Sequence, residues 1–284
     1  MKEGRRGALL VAGAALLWST GGIGIKAIPD PALKIAFYRS AIAAVALWLY
    51  FRPRAWKWSP GFLTALGSYA GCLISFVVAT KWTTAANAIF LQYSGVVWVL
   101  LFSPLLLREP FRTRDAAAIT AAFVGIGLFF VGHFDTRGRA GDGVALLSGV
   151  FFAALVLSLR RERGVGAEAA VTWGNVLAAA LLFPFIVSDL ALTPKSAAML
   201  LFLGVFQIAG AYALFVAGIK HVTATEAALI GMLEPVANPI WVFLLLGERP
   251  TLFAVAGGAI VLAAIAWRTL AAGRAPAGAL PPPD

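Results

Sequence analysis

Apolar stretches long enough to cross a bilayer follow one another from residue 7 to residue 270, parted by short polar breaks. Ten can be counted, over roughly 7–27, 33–51, 60–80, 85–107, 113–132, 142–160, 167–187, 196–219, 224–246 and 251–270. A helix rising about 1.5 Å per residue needs about 20 apolar residues to cross a hydrocarbon core of about 30 Å. The breaks hold residues that stop helices, among them Pro29-Asp30-Pro31, Arg52-Pro53-Arg54, Ser59-Pro60, Glu109-Pro110, Arg137-Gly138-Arg139, Thr193-Pro194 and Arg249-Pro250. Strand-like alternation is absent, which argues against an outer-membrane barrel. The expected fold class is an all-α membrane protein with ten transmembrane helices. The run that follows Lys2, Arg5 and Arg6 contains Trp18 and reads as a retained first helix rather than a signal peptide. Residues 273–284, closing on three prolines, read as a disordered tail.

Within this pattern one segment occurs twice. Laid back by 139 positions, Thr223–Thr251 falls on Thr84–Arg112 without a gap. Lys220 then meets Lys81, Thr223 meets Thr84, the leucines 244–246 meet 105–107, and Glu248 meets Glu109. Further back, Gly210 meets Gly71 and Phe215 meets Phe76. Apolar matches come easily here, but matched lysines and glutamates do not, so an internal duplication is the expected reading. It divides the chain into five-helix repeats over 1–136 and 137–272. Five is odd, so the second repeat enters the membrane inverted relative to the first. Inverted repeats around a central cavity are the architecture of alternating access.

Composition narrows the classes. The chain is 61% hydrophobic and 13% charged, about half the charged share of a soluble domain. Its net charge of +10 does not point to nucleic acid, because the basic residues sit in short clusters between apolar runs. Most of the 23 lysines and arginines fall at the N-terminus, in the breaks after the second, fourth, sixth and eighth runs, and at the C-terminus. Both termini are therefore expected in the cytoplasm, in an inner-membrane protein. The single cysteine, Cys72, excludes an intrachain disulfide, and two histidines exclude an ordinary Cys/His metal cluster. His133 and His221 fall at opposite faces, so no nucleophile–base arrangement is apparent. No Walker-type loop for ATP occurs. No cofactor is expected.

Polar groups inside the apolar runs carry the chemistry. Glu234 lies about ten residues into the ninth run, about 15 Å deep. An ionisable group there is expensive unless paired or wet, so it reads as functional, against the alternative that it serves donors freed by Pro235 or neutralises Arg39. Arg39 offers a fork for a substrate carboxylate, or snorkels to the headgroups. Asn238 follows Glu234 by one turn, and Gln92 and Tyr93 sit mid-run in the fourth helix. Trp18, Trp98, Trp173 and Tyr212 lie well inside runs, whereas Trp48, Trp56, Trp58 and Trp82 suit an interfacial belt. Together with Tyr38, the cavity candidates are Trp18, Arg39, Gln92, Tyr93, Trp173, Glu234 and Asn238. Gly21, Gly22, Gly95 and Pro235 are candidate hinges. Glu109 and Glu248 end their helices beside basic residues, Arg112 and Arg114 in one case and Arg249 in the other, and read as locally paired.

Four motifs carry a resemblance. Leu16-Leu17-Trp18-Ser19-Thr20 precedes glycines in the first helix, and Phe37-Tyr38-Arg39 opens the second. The ninth helix contains Leu233-Glu234-Pro235-Val236 and closes with Leu246-Gly247-Glu248-Arg249. Across residues 7–270 the chain resembles the drug/metabolite transporter superfamily, in its ten-helix exporters built from two EamA-type repeats. It looks most like the amino-acid exporters, including the aromatic amino-acid branch. The fourth helix departs from that pattern: Tyr93-Ser94-Gly95-Val96 stands where the family usually has a proline, leaving Gly95 to supply the weakness. The resemblance implies a secondary transporter exporting small zwitterionic metabolites, with a small molecule and the bilayer as its partners and no nucleic acid. A multidrug or nucleotide-sugar carrier of the same fold is the alternative, and a non-transporting membrane scaffold is the alternative of another class.

Overall fold

The computed structural model of the protein describes residues 2–53, 56–129, 138–162, 164–246 and 252–272, and among these every regular element is helical. Among the described residues seven helices are long and apolar enough to cross a membrane. The first is interrupted, α1 (Lys2–Trp18) running into α2 (Gly21–Ala27). It is followed by α3 (Ala32–Phe51) and α4 (Pro60–Trp82). The fourth is again broken, into α5 (Ala85–Gln92) and α6 (Gly95–Leu107). Next come α8 (Arg139–Glu162) and α9 (Val165–Ile186). The seventh joins α10 (Pro194–Phe202) through a π-helical segment, Leu203–Gly210, to α11 (Ala211–Ile219). At the other expected positions stand α7 (Thr113–Phe129), the pair α12 (Ala224–Gly231) and α13 (Leu233–Leu246), and α14 (Leu252–Ala272).

Local chemistry sets these limits. Thr84 Oγ1 accepts from Asn87 N and starts α5, and its repeat mate Thr223 accepts from Glu226 N and starts α12. Ser59 and Thr193 cap α4 and α10 in the same way, each with proline next in line. Such caps satisfy donors that a helix start leaves bare, each worth about 1 kcal/mol. Arg52 and Arg108 end α3 and α6 in the left-handed region, with φ of 47° and 55°.

The helices pair in a pattern that survives a shift of 139 positions. α4 packs on α8 as α11 packs on α1, α3 packs on α9, and α7 packs on α14. Close approach needs glycine at some crossings, where a side chain on Gly7 would meet His221 and the Gly218 carbonyl. The outer faces carry leucines, valines and phenylalanines, such as Leu9, Val45, Leu105 and Phe185, as lipid-facing surface requires.

Charged residues bind the ends of the bundle. Lys26 Nζ donates to the Thr83 carbonyl and Lys81 Nζ to that of Ile28. On the equivalent loop of the second repeat, Arg160 Nη1 donates to the Ile219 and Lys220 carbonyls. Glu109 is not paired with its sequence neighbours as expected. Its Oε1 accepts from Arg160 Nε at 2.8 Å, and its Oε2 from Ser103 Oγ at 2.7 Å and Ala224 N at 2.9 Å. The reason is burial, since a carboxylate tucked between helices must be met from several sides. A second buried pair, Asp115 with Arg268, joins α7 to α14. Glu248, Arg249 and His133 lie outside the described residues.

Candidate functional site

Three interrupted helices and the π-helical segment meet near the bundle centre. The first helix breaks at Ser19–Thr20, the fourth at Tyr93–Ser94, and α12 and α13 part at Met232. Each break leaves carbonyls or amides without helical partners, and those groups recruit side chains. Trp18 O accepts from Gln207 Nε2 at 3.4 Å, and Gln207 is carried by the π-helical segment. Such segments often mark functional positions. Trp241 Nε1 donates to Ser19 Oγ at 2.6 Å, tying α13 to the first break.

A cavity of about 40 Å³ opens among these breaks. It is lined by Arg39, Gln92, Gln207 and Glu234 on its polar side, and by Trp18, Phe76, Phe152 and Tyr212 on its aromatic side. Trp18 and Tyr212 meet edge to face at 5.0 Å, and Tyr69 stands behind Tyr212 at 4.5 Å. The volume admits about three waters, so any larger guest requires the walls to part.

The polar side is unevenly satisfied. Glu234 Oε2 lies 2.9 Å from Tyr93 Oη, and the same phenol donates to the Gly231 carbonyl at 2.6 Å. Gln92 Nε2 donates to Ser148 Oγ at 2.8 Å, holding α5 to α8. Arg39 is 1% exposed, and only its Nη1 has a partner, Gln207 Oε1 at 3.4 Å. Its Nε and Nη2 are buried without one. No ion pair joins Arg39 to Glu234. The guanidinium therefore does not snorkel, and it makes no direct ion pair with the glutamate.

Of the residues singled out in the sequence, the structure brings Trp18, Arg39, Gln92 and Glu234 to the cavity wall, with Tyr93 bonded to Glu234. Tyr38 is elsewhere. Its hydroxyl donates to the Leu190 carbonyl at 2.6 Å, because one residue along a helix turns the side chain about 100° from Arg39. Trp173 packs on Trp56 at 5.5 Å, away from the lining residues. Trp98 is 41% exposed beside Phe102, facing outward. The side chain of Asn238 lies outside the described residues. Gly21 and Gly22 follow the first break, and Gly21 also makes room for Gln207. Gly95 follows the second break and packs closely on α8, where a side chain would run into the Gly149 carbonyl. Gln207, Phe76 and Phe152 were missed. The rule that singled out Gln92, a buried amide in mid-span, applies equally to Gln207, and Phe76 is the repeat mate of Phe215.

An all-helical membrane bundle with a buried, partly unsatisfied polar centre is the build of a carrier. The model of the EamA-like transporter family matches twice, over residues 5–131 and 139–270, and the chain belongs to that family. An uncharacterized transporter of Archaeoglobus fulgidus is 26% identical over 90% of this chain and 95% of its own length. The pseudopaline exporter CntI of Pseudomonas aeruginosa is 28% identical over 82% and 84%. The transporter YwfM of Bacillus subtilis is 25% identical over 84% and 86%. A solved crystal structure superposes with a TM-score of 0.76 over 94% of this chain and 99% of that one, at 18% identity, and shares the fold.

Proposed function

We propose that this transporter is a secondary exporter of small zwitterionic metabolites, amino acids foremost, working by alternating access in the inner membrane. The observation that carries the reading is the buried Arg39, with two guanidinium nitrogens unpartnered on a cavity that also holds Glu234. An unmet charged donor in a low-dielectric interior costs more than the 1–3 kcal/mol typical of a neutral group. A carboxylate fits the guanidinium fork, an ammonium fits Glu234, and the aromatic wall takes an apolar side chain or lends cation–π attraction.

The alternatives fit less well. A cation-drug pump asks for a membrane carboxylate with no counter-cation near it, whereas Arg39 shares the cavity of Glu234. A nucleotide-sugar carrier asks for several basic residues, and Arg39 is the one lysine or arginine among the lining residues. A scaffold asks for a dry, filled centre. Export is favoured because one relative is a named exporter.

In this reading the helices at 113–129, 224–246 and 252–272 also cross, making ten. The repeats over 1–136 and 137–272, whose likeness the two separate family matches support, are inverted because each holds an odd number of spans. The interruptions near Gly21, Gly22, Gly95 and Pro235 let the walls part. Both termini lie in the cytoplasm. Cysteines introduced at Gly143 and Arg161, both exposed on α8, in a background without Cys72, are expected to label from opposite faces, Arg161→Cys from the cytoplasm.

Uptake of a labelled metabolite panel into proteoliposomes tests the substrate class. Arg39→Lys keeps the charge and loses the fork, so affinity for carboxylated substrates should fall about 10- to 100-fold, the equivalent of about 1.5–3 kcal/mol of charge-assisted bonding. Equal transport of amines lacking a carboxyl group, unaffected by Arg39→Lys, overturns the reading.

A further inference from the structure

The contact between the two interrupted helices places protons as well as atoms. Pro235 has no N–H, so the Gly231 carbonyl one turn earlier loses its helical donor. Tyr93 Oη lies 2.6 Å from that carbonyl oxygen and 2.9 Å from Glu234 Oε2. A phenol carries one proton, and a carbonyl can only accept. The shorter contact therefore takes the tyrosine's proton. Oη then meets Glu234 with lone pairs alone, and two bare oxygens at that distance repel. A single phenol proton shared between the two oxygens would weaken both bonds, whereas both contacts are full two-centre hydrogen bonds if Glu234 carries a second proton and donates it to Tyr93. Protonated, the glutamate also avoids leaving a buried anion without an ion pair.

The surroundings bear on this. Arg39 on α3, Cys72 on α4 and Tyr212 on α11 face the same cavity, with Tyr69 behind Tyr212. Of these Arg39 alone is charged. It favours the ionised carboxylate, yet is turned to Gln207 and forms no ion pair with Glu234. Among the other elements packed on α13, α1 has its charges at its far end and α2 brings Lys26, held by the Thr83 carbonyl. On α12, Glu226 lies about two turns before Glu234, and α14 brings Arg268, paired with Asp115.

We infer that Glu234 and Tyr93 form a proton-binding site, filled in this conformation, whose proton leaves when a cationic group of the substrate takes the carboxylate. The proton site stands on the hydrogen-bond geometry alone, while the exchange rests on the transport reading above. The carrier is then a proton/substrate exchanger, with one proton given up by Glu234 for each ammonium bound.

Infrared difference spectroscopy of the purified protein, without substrate, reads the site directly. At neutral pH the wild type should show the carbonyl stretch of a protonated carboxyl group. Glu234→Gln, which keeps a donor for Tyr93 and so should fold, should lose that band, and Tyr93→Phe should shift it. A spectrum in which Glu234→Gln removes no such band overturns the proton site. In proteoliposomes, a pH gradient should stimulate wild-type flux severalfold and leave Glu234→Gln flux unchanged. Wild-type flux insensitive to the gradient overturns the exchange. A normal band with no zwitterion transported at all overturns the substrate reading and leaves the proton site standing.

Discussion

The helix pairs α5–α6 and α12–α13 are interrupted at positions 139 residues apart, by different means. An offset of 139 lays Met232 on Tyr93, and these are the residues at which the two helices break. In the first copy the interruption is closed by the backbone itself. Ser94 N bonds to Leu91 O, Val96 N to Tyr93 O and Val97 N to Ser94 O, a short run of three-residue spacing. In the second copy Val96 is replaced by Pro235, Gly95 by Glu234, and the Gly231 carbonyl is stripped of its helical donor. The first copy's Tyr93 supplies the missing bond. One copy thus holds a defect and the other its remedy, so neither helix is complete without its mate. A glycine suited to packing against α8 faces a carboxylate suited to binding, and the equivalence of the two halves ends there.

The largest way to break this relation is at the anchor of the first broken helix. Glu109, just past α6, is bonded to Arg160 on α8 and to the first amide of α12. Glu109→Gln removes one partner of a buried pair, which typically costs about 3–5 kcal/mol. The thermal unfolding midpoint in detergent should drop sharply. Hydrogen exchange should quicken at 224–231 as well as near the substitution, because the first amide of α12 loses its charged acceptor. Fast exchange confined to α6 and α8 would mean that the two broken helices are independent.

Next comes the packing glycine. Gly95→Ala drives a methyl group into the Gly149 backbone, which cannot swing aside as a side chain can. A cost of about 1–3 kcal/mol is expected. Gly143→Ala, where the added carbon meets nothing within 4 Å, serves as the control and should leave the midpoint unmoved.

These positions also mark how far the sequence could be read. Length and apolar character gave the helices away, while the capping roles of Thr84 and Thr223 came only with the structure. Depth was legible too, so Glu234, Arg39 and Gln92 stood out as polar groups far from water. Direction was not. A helix such as Val165–Ile186 is apolar nearly all round, so nothing in its pattern tells the inward face from the lipid face, and Trp173 packs on Trp56 rather than lining the cavity. Tyr38 and Arg39 adjoin in sequence, yet only one points inward. Glu109 has Arg112 and Arg114 close by in sequence, but its partner Arg160 stands 51 positions away, brought there by the packing of α6 on α8. Pro235 announced an orphaned carbonyl. That Tyr93 would fill it is a property of two helices in contact, invisible in either alone.

Tyr93→Phe should have a smaller effect than either of the changes at Glu109 or Gly95. It keeps the ring against Phe152, 6.0 Å away, and removes only the hydroxyl. The Gly231 carbonyl and Glu234 both lose their partner, for an expected loss of about 1–2 kcal/mol within the range for buried unsatisfied groups. The denaturation midpoint reads it, and a value unchanged from wild type would show that water serves the carbonyl equally well.

The finest test pairs that substitution with Pro235→Ala. Alanine restores an N–H one turn beyond Gly231, so the carbonyl can be satisfied within its own helix. Tyr93 no longer has to serve it and is free to donate its proton to Glu234 instead. Two consequences follow. Tyr93→Phe should cost less in the Pro235→Ala background than in the wild type, by about 1 kcal/mol, the worth of one buried hydrogen bond. That difference is the coupling energy of a double-mutant cycle, which isolates the pair from effects each change has elsewhere. Glu234, now receiving a proton rather than giving one, should also ionise more readily, so the infrared band of its protonated form should vanish at a lower pH. A coupling energy near zero with an unshifted band would separate the tyrosine from the proline, and the two interrupted helices would then be neighbours without being complementary.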